Sequence, residues 1–189
     1  MSNSLRVSSR SAPSTVTMRV YLRPQGEGIA QDGILAEDDF AALMRDMSER
    51  ASYRSELVGV IAVRIDDLEQ ITTAFGSDVG RSVTDTWRTG VRRHAPSNAL
   101  VADDGPTGLL VGVLVGSPQE ARRVAGVIYR GLFEDLGQVG GGVIPVVGVG
   151  VGLSDASGYD APALVRVARV AATRAAETVE TSVLVGDDE

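Results

Sequence analysis

The stretch Ala99–Gly116 constrains the fold most strongly, because a cluster of turn-forming residues separates its two apolar runs. The first run, Ala99–Ala102, is short, and the second, Leu109–Val115, is continuous. Between them, residues 103–108 comprise two aspartates, two glycines, a proline and a threonine, a composition that ends regular structure. The pattern predicts a β-hairpin, and its turn is where we expect chemistry.

Further strands are predicted before and after the hairpin. Leu57–Ile65 is a continuous apolar run rich in β-branched residues, which is typical of a strand buried on both faces. Val143–Leu153 is rich in glycine and contains Pro145, which suits a strand start or an edge because proline donates no ladder hydrogen bond. A short final strand is predicted at Ser182–Val185, and the weakly alternating Val16–Leu22 would add an edge strand.

Helices are predicted where apolar residues recur on one face. They fall at Asp38–Arg54, at Leu68–Ala74, at Val79–Arg93, after the capping box Ser117–Glu120, and after Asp160–Pro162. Asp66 and Asp67 are expected to cap the second helix, and Ser77 or Asp78 the third. The fourth helix is expected to bury Val127 together with the apolar residues on the same face.

The order of these elements predicts an α/β (α+β) fold, in which helices cover a mixed, mostly antiparallel sheet with a ferredoxin-like core. At 189 residues the chain is long enough for one domain with a substantial core. We assign residues 16–186 to this single domain. The serine- and arginine-rich residues 1–15 are expected to form a disordered tail or linker, and residues 187–189 an acidic tail.

Composition excludes several kinds of chemistry. The chain has no cysteine and one histidine, which excludes disulfides, thiolate catalysis and a multi-histidine metal site. All 18 basic residues are arginine, so no lysine is present for Schiff-base chemistry. The net charge of −7 argues against nucleic acid as a partner.

Hydropathy sets an expectation for location. No apolar run is long enough to span a bilayer, and the first residues do not have the pattern of a signal peptide. We therefore expect no membrane insertion by this segment and a cytoplasmic location, either free or as the cytosolic part of a membrane-tethered protein.

The order and spacing of the elements resemble those of the GGDEF domain of diguanylate cyclases, from about Asp32 to Val185. Asp32–Phe40 is similar to the segment that opens the family's first helix, and Val146–Leu153 looks like its late glycine-containing strand. Ala168–Val183 resembles the terminal helix. The agreement is clearest at Ile65, Asp66, Ile71, Phe75, Gly76, Asp78 and Gly80.

Two departures from the family pattern concern its metal ligands. The signature Gly-Gly-Asp-Glu-Phe falls on residues 105–109, so the acid that would hold Mg²⁺ and help deprotonate the attacking hydroxyl is replaced by Gly108. The other metal-binding aspartate falls on Arg64. Cyclisation of GTP depends on carboxylates that hold Mg²⁺ between phosphates. The resemblance therefore implies a degenerate domain without cyclase activity.

The other functional positions that the resemblance assigns are also substituted. They are Thr72 and Arg81 for guanine recognition, Ala176 and Glu180 for phosphate binding, and Pro96 and Ala99 for product inhibition. We therefore expect no catalytic residue, no cofactor and no bound metal, and we do not expect GTP or cyclic di-GMP to bind.

Acidic residues near the turn leave an alternative open. Asp66 and Asp67 follow the first strand, and Asp103 and Asp104 open the turn, so four carboxylates would rebuild a site for a hard cation if they met. The simpler interpretation is that these aspartates cap helices and fill turns. A residual pocket would consist of Asp66, Asp103, Asp104, Gly105 and Thr107.

Two other patterns have simple structural interpretations. Gly148, Gly150 and Gly152 form a GxGxG run, but no helix begins at the third glycine, so close packing of a helix on the strand is favoured over dinucleotide binding. His94 ends an arginine-rich helix, where positive charge complements the helix dipole.

Two functions remain to be distinguished. The first is a non-catalytic bacterial signalling or scaffold domain that contacts an unknown protein partner or a second copy of itself. The second is a receptor for a nucleotide or another anionic small ligand in the residual pocket. A metal-dependent enzyme built on the four aspartates ranks last.

Overall fold

The computed structural model describes residues 33–139, 142–154 and 159–178, and the backbone of residues 183–185. Several sequence predictions lie outside these residues. They are the tail at 1–15, the edge strand Val16–Leu22, the acidic tail at 187–189 and the role of Glu180.

Helices and strands follow one another nearly as the sequence predicts. The helices of the described residues are α1 (Glu37–Arg54), α2 (Leu68–Phe75), α3 (Ser77–His94), α4 (Pro118–Leu136) and α5 (Ala161–Glu177). The strands are β1 (Leu57–Ile65), β2 (Leu100–Asp103), β3 (Gly108–Val115), β4 (Val147–Leu153) and β5 (Val183–Val185). In the described part of the chain, no helix combines the length and apolar composition needed to span a bilayer.

The strands form one sheet in the order β2-β3-β1-β4-β5. Strand β1 lies at its centre and pairs antiparallel with both β3 and β4. Strands β2 and β3 form the predicted hairpin, and β5 alone joins its neighbour in parallel. The predicted mixed, mostly antiparallel sheet covered by helices is confirmed.

Both faces of the sheet are buried, as the apolar run of β1 predicts. Alternate β1 residues, such as Ile61 and Val63, pack with α2, α3 and α4, where Trp87 is completely buried. The intervening residues, such as Val60 and Ala62, pack with α1 and α5. The sheet is therefore the middle layer of three.

The glycines of β4 serve helix packing. A Cβ atom at Gly150 would overlap the backbone of Ala172, and one at Gly152 would overlap the carbonyl oxygen of Leu164. Helix α5 therefore lies with its backbone directly on the strand. This confirms close packing as the reason for the glycine alternation.

Three local predictions are wrong. Helix α3 begins at Ser77 itself, because Gly76, with φ of 93°, turns the chain directly from α2 into α3 and leaves neither Ser77 nor Asp78 as a cap. Asp67 occupies the N-cap position of α2 as predicted, but its carboxylate makes no capping hydrogen bond and instead accepts one from the Val146 backbone N–H at 2.9 Å. Val127 lies at the margin of the buried face of α4 and is 39% exposed.

The strand predicted at Val143–Leu153 begins four residues later, at Val147. Pro145 has no N–H, and the N–H of Val146 is bonded to Asp67, so these residues do not extend the ladder. As a result, Ile144 and Val146 are exposed although they belong to an apolar run.

Candidate functional site

The turn between β2 and β3 is tightly closed. The Asp104 N–H donates to the Gly108 carbonyl oxygen at 3.0 Å, and Gly105 has a φ of 77°. A Cβ atom at Gly108 would overlap the backbone carbonyl oxygen of Asp104. Any side chain at position 108 therefore requires a different turn.

Arg64 lies on β1 beside this turn. In the sheet register it pairs with Gly108 on one side and with Gly148 on the other. Its Nε donates to Asp66 Oδ1 at 3.1 Å, with about a third of each side chain exposed. The end of β1 thus carries an arginine–aspartate pair next to a residue without a side chain.

The two aspartates of the turn bind arginines from opposite faces of the sheet. Asp103 Oδ1 lies 2.7 Å from Arg88 Nη1 of α3. Asp104 is only 10% exposed and accepts hydrogen bonds from the Arg169 guanidinium of α5, including Nε–H at 2.9 Å. Arg169 also lies 3.6 Å from Glu37 at the start of α1. The hydrogen bond with Asp104 raises the pKa of Arg169 above its ordinary value, partly opposed by burial.

The four aspartates considered for a hard-cation site therefore do not converge as metal ligands. Asp67 accepts a hydrogen bond from the Val146 N–H, and Asp66, Asp103 and Asp104 each have their own arginine, from β1, α3 or α5. The backbone of Thr107 continues the ladder, because its carbonyl oxygen accepts from Ile65 N–H at 3.0 Å. Among the described residues, no group of three or more histidine, aspartate or glutamate side chains is arranged to hold a metal ion. Ligand binding by Asp66, Asp103, Asp104, Gly105 and Thr107 stays a prediction.

The positions that the resemblance assigns to guanine have structural roles. The Thr72 hydroxyl donates to the Leu68 carbonyl oxygen at 2.8 Å. The same side chain fills the space over Gly80, where a Cβ atom would overlap it, so α2 and α3 pack closely. Arg81 is exposed and lies 3.7 Å from Asp78. Thr72 is thus used in helix packing, and Arg81 is an exposed side chain near another exposed side chain.

A cluster of polar side chains joins the ends of α3 and α4. His94 Nε2 lies 2.8 Å from Asp135 Oδ2, and Arg93 Nη1 lies 3.0 Å from Asp135 Oδ1. Gly131 makes room for the His94 ring, since a Cβ atom there would overlap it. The sequence predicts the positive charge at the end of α3. It does not predict that Asp135 is the partner of His94, because the two residues are 41 positions apart.

An apolar groove of about 270 Å³ opens between α4, the start of β4 and the end of α5. Phe133, Ile144 and Val146 line this α4–β4 groove and are 54%, 61% and 42% exposed, respectively. Tyr129 borders it, with its ring centroid 6.5 Å from that of Phe133. The sequence did not reveal this surface, because an apolar run that contains Ile144 and Val146 predicts burial.

Solved structures of GGDEF domains are similar to this chain. The GGDEF domain of YfiN (or TpbB) from Pseudomonas aeruginosa has a TM-score of 0.71 at 18% identity, with 84% of this chain and 99% of that chain covered. The GGDEF domain of DgcB from Caulobacter crescentus, in complex with c-di-GMP, has a TM-score of 0.72 at 10% identity, with coverage of 85% and 96%. The active GGEEF domain of a diguanylate cyclase from Vibrio cholerae has a TM-score of 0.69 at 16% identity, with coverage of 80% and 97%.

These similarities define the class of fold. No protein-family model matches the sequence, and no curated protein matches it. The chain has a GGDEF-like fold, a mixed α/β architecture shared over most of its length with domains that are only 10% to 18% identical to it. The predicted resemblance is confirmed at the level of the fold.

Proposed function

We propose that this chain is a GGDEF-like signalling domain that does not cyclise GTP and that acts through contacts with protein. One observation carries the proposal: Arg64 and Gly108 are paired residues on adjacent strands, at the two positions where the resemblance assigns the metal-holding carboxylates. The domain is degenerate in this sense, and it retains the sheet and helices while lacking the chemistry.

The charge at the end of β1 opposes a divalent ion. Arginine stays protonated at any ordinary pH, so Arg64 puts a permanent positive charge beside the turn. Asp66, the nearest carboxylate, is already paired with this arginine at 3.1 Å. Gly108 offers no ligand, and its contact with Asp104 leaves no room for one. Magnesium-dependent positioning of two phosphates therefore has no support here.

A nucleotide receptor is the weaker proposal. A triphosphate or cyclic dinucleotide needs unoccupied positive groups, but the turn presents Asp103 and Asp104, and each is bound to an arginine. An incoming anion would have to replace these carboxylates as partner of Arg88 or Arg169. We therefore expect neither GTP nor cyclic di-GMP to bind at the turn.

The α4–β4 groove supports a protein-contact function. Phe133, Ile144 and Val146 are large apolar side chains, each more than 40% exposed, and they share one concave surface. Clustered apolar exposure of this kind marks interaction surfaces more often than isolated exposed residues do. The partner would be a protein, including a second copy of this chain, that inserts apolar side chains into the groove.

The catalytic half of the proposal is tested with purified protein, GTP and Mg²⁺. Cyclic di-GMP is measured by mass spectrometry, and heats of binding for GTP and cyclic di-GMP are measured by calorimetry. We expect no product and no heat at micromolar ligand. Formation of cyclic di-GMP at a rate proportional to protein concentration would overturn the proposal.

The contact half is tested by site-specific photo-crosslinking in cells that express the full chain. A benzophenone amino acid replaces Ile144 in the groove, and in a matched control it replaces Tyr53, which is 92% exposed on α1. We expect a discrete adduct, with a second copy or another protein, from position 144 only. This adduct should disappear when Phe133→Ser is added. No adduct, or the same adducts from position 53, contradicts the groove as the contact surface.

A further inference from the structure

A second cavity lies on the face of the sheet that α1 and α5 cover, opposite the face covered by α3 and α4. It occupies about 230 Å³ between α1 and α5, over the sheet. Phe40 and Met44 of α1 form one wall, Val165 of α5 forms the other, and Val60 and Leu110 of the sheet form the floor. These side chains give the α1–α5 cavity a mainly apolar lining.

One polar group in this lining is left without a partner. Tyr159, two residues before the first residue of α5, lines the cavity, and its hydroxyl is buried with no hydrogen-bond partner among the described residues. Buried hydroxyls in folded proteins are nearly always hydrogen-bonded, so this one indicates a partner that is not among the described residues. The hydroxyl is protonated at neutral pH and can donate, since the ordinary pKa of tyrosine is about 10 and burial raises the pKa of Tyr159 to about 12.

The charges at the cavity rim compensate each other. Arg169 and Glu37 both line the cavity, and they lie 3.6 Å apart. Arg169 is further held by Asp104. A charged ligand would have to separate these pairs, whereas a neutral ligand leaves them intact. The rim therefore favours an uncharged occupant.

We propose that the α1–α5 cavity binds a small, uncharged and mostly apolar molecule that accepts a hydrogen bond from the Tyr159 hydroxyl. Its size suits one substituted ring, because an apolar cavity of about 150 Å³ already takes a benzene-sized molecule. The site is separate from the β2–β3 turn and from the α4–β4 groove, so it does not depend on the proposed function.

The cavity is connected to the turn through one side chain. Arg169 borders the cavity and binds Asp104 between β2 and β3. Helix α5 also carries Val165, which contacts the ligand space. A ligand in the cavity would therefore contact α5, the helix whose Arg169 binds Asp104 in the turn. Movement of α5 on binding would change the position of the turn.

The experiment uses p-cresol as the probe and toluene as the matched molecule without a hydroxyl. The full chain carries ¹³C-methyl methionine, and the methyl signal of Met44, which lines the cavity, is followed by NMR during titration. We expect saturable shifts of Met44 that exceed those of Met47, which is buried on the same helix outside the cavity lining. Absence of a saturable Met44 shift overturns the proposal.

Two substitutions on the exposed side of α1 locate the binding site. Ala41 lines the cavity and Ala42 does not, and both are exposed, so leucine is tolerated by the fold at either position. We expect Ala41→Leu to abolish the p-cresol shift by filling the cavity and Ala42→Leu to leave it unchanged. Equal binding by both variants means that p-cresol binds elsewhere, which overturns the proposal.

The Tyr159→Phe variant tests the hydrogen bond. It keeps the ring and removes the hydroxyl, so we expect p-cresol affinity to fall about fivefold to tenfold, the usual effect of one neutral hydrogen bond. Toluene affinity should not fall. Unchanged p-cresol affinity in this variant contradicts the role of Tyr159.

Discussion

Arg64 of β1 and Gly108 of β3 are paired residues of the antiparallel ladder, at the end of β1 that leads into Asp66. A guanidinium and a residue without a side chain thus stand at the positions where the resemblance places two metal-binding carboxylates. Strand pairing at this point does not depend on carboxylates, because the ladder continues through Arg64 and Gly108. The proposed absence of cyclase activity is therefore compatible with a GGDEF-like fold.

This relationship predicts how metal affinity responds to Arg64. We expect the unchanged protein not to bind Mn²⁺, used as a probe for Mg²⁺, because the guanidinium repels it and Asp66 is occupied. Arg64→Asp should gain binding on the order of millimolar, because two adjacent carboxylates then face the turn. Calorimetry measures both. The control is Arg64→Gln, which removes the charge without adding a ligand and should not bind Mn²⁺. If the unchanged protein binds Mn²⁺ as well as Arg64→Asp does, Arg64 does not prevent metal binding.

The turn predicts a difference between its two glycines. A methyl group at Gly108 overlaps the Asp104 carbonyl oxygen, whereas the space around Gly105 is open and only its φ of 77° opposes a side chain. We expect Gly108→Ala to lower the free energy of unfolding by about 3 kcal/mol and Gly105→Ala by about 1 kcal/mol. Urea denaturation at neutral pH measures both. Equal effects, or a larger effect at Gly105, would show that the turn is looser than its geometry indicates.

The fold could be predicted because its signals are local. The apolar run Leu57–Ile65 predicts a strand covered on both sides, and it is the central strand of the sheet. The turn-forming cluster at 103–108 predicts the hairpin, and the ends of β2 and β3 lie within one residue of the predicted apolar runs. The capping box at α4 is also local, and Ser117 Oγ accepts the Glu120 N–H at 3.2 Å.

The site could not be predicted to the same degree, because its contacts join distant parts of the chain. Arg169 lies 65 residues from Asp104, and nothing near either residue indicates the other. Many arginines were available, and which one reaches the turn depends on how α5 lies on β4. The exposure of Ile144 has the same origin. Pro145 and the hydrogen bond between Asp67 and Val146 prevent the strand from starting before Val147, and neither feature can be read from the hydropathy of the sequence.

The Asp104–Arg169 pair predicts a stability effect that an exposed pair lacks. Asp104 is 10% exposed and anchors the turn to α5, so Asp104→Ala leaves the Arg169 guanidinium without its main partner. We expect a loss of about 2 kcal/mol in the free energy of unfolding. Asp78→Ala serves as the control, because Asp78 is 94% exposed and 3.7 Å from Arg81, and its loss should cost less than about 0.5 kcal/mol.

A double-mutant cycle separates this pair from general damage to the turn. If Asp104 stabilises the fold through Arg169, adding Arg169→Ala to Asp104→Ala should cost clearly less than Arg169→Ala costs alone. Urea denaturation of the two single variants and the double variant gives the coupling energy. Strictly additive losses would mean that the two residues act independently.

Because the Tyr159 hydroxyl is buried, we expect the folded protein to lose stability at alkaline pH. Burial raises its pKa in the folded protein to about 12, against an opposing effect of Arg45, whereas the unfolded chain has the ordinary value of about 10. Between these values the unfolded state binds fewer protons than the folded state, so unfolding becomes easier as pH rises. The contribution of Tyr159 is fully present below about pH 10 and is lost as pH rises through about 12.

Spectrophotometric titration and denaturation together measure this effect. We expect the difference in tyrosinate absorbance between the unchanged protein and Tyr159→Phe to stay small up to about pH 11, because Tyr159 is still mostly protonated there. The urea midpoint should fall less steeply above about pH 10 in Tyr159→Phe than in the unchanged protein, since the variant has no buried hydroxyl to ionise. The control is Tyr53→Phe, at a position that is 92% exposed, and its urea midpoint should change with pH as that of the unchanged protein does.

A Tyr159 absorbance change that is complete by about pH 10.5 would show that its hydroxyl is in contact with water. The α1–α5 cavity would then have no unpartnered buried hydroxyl.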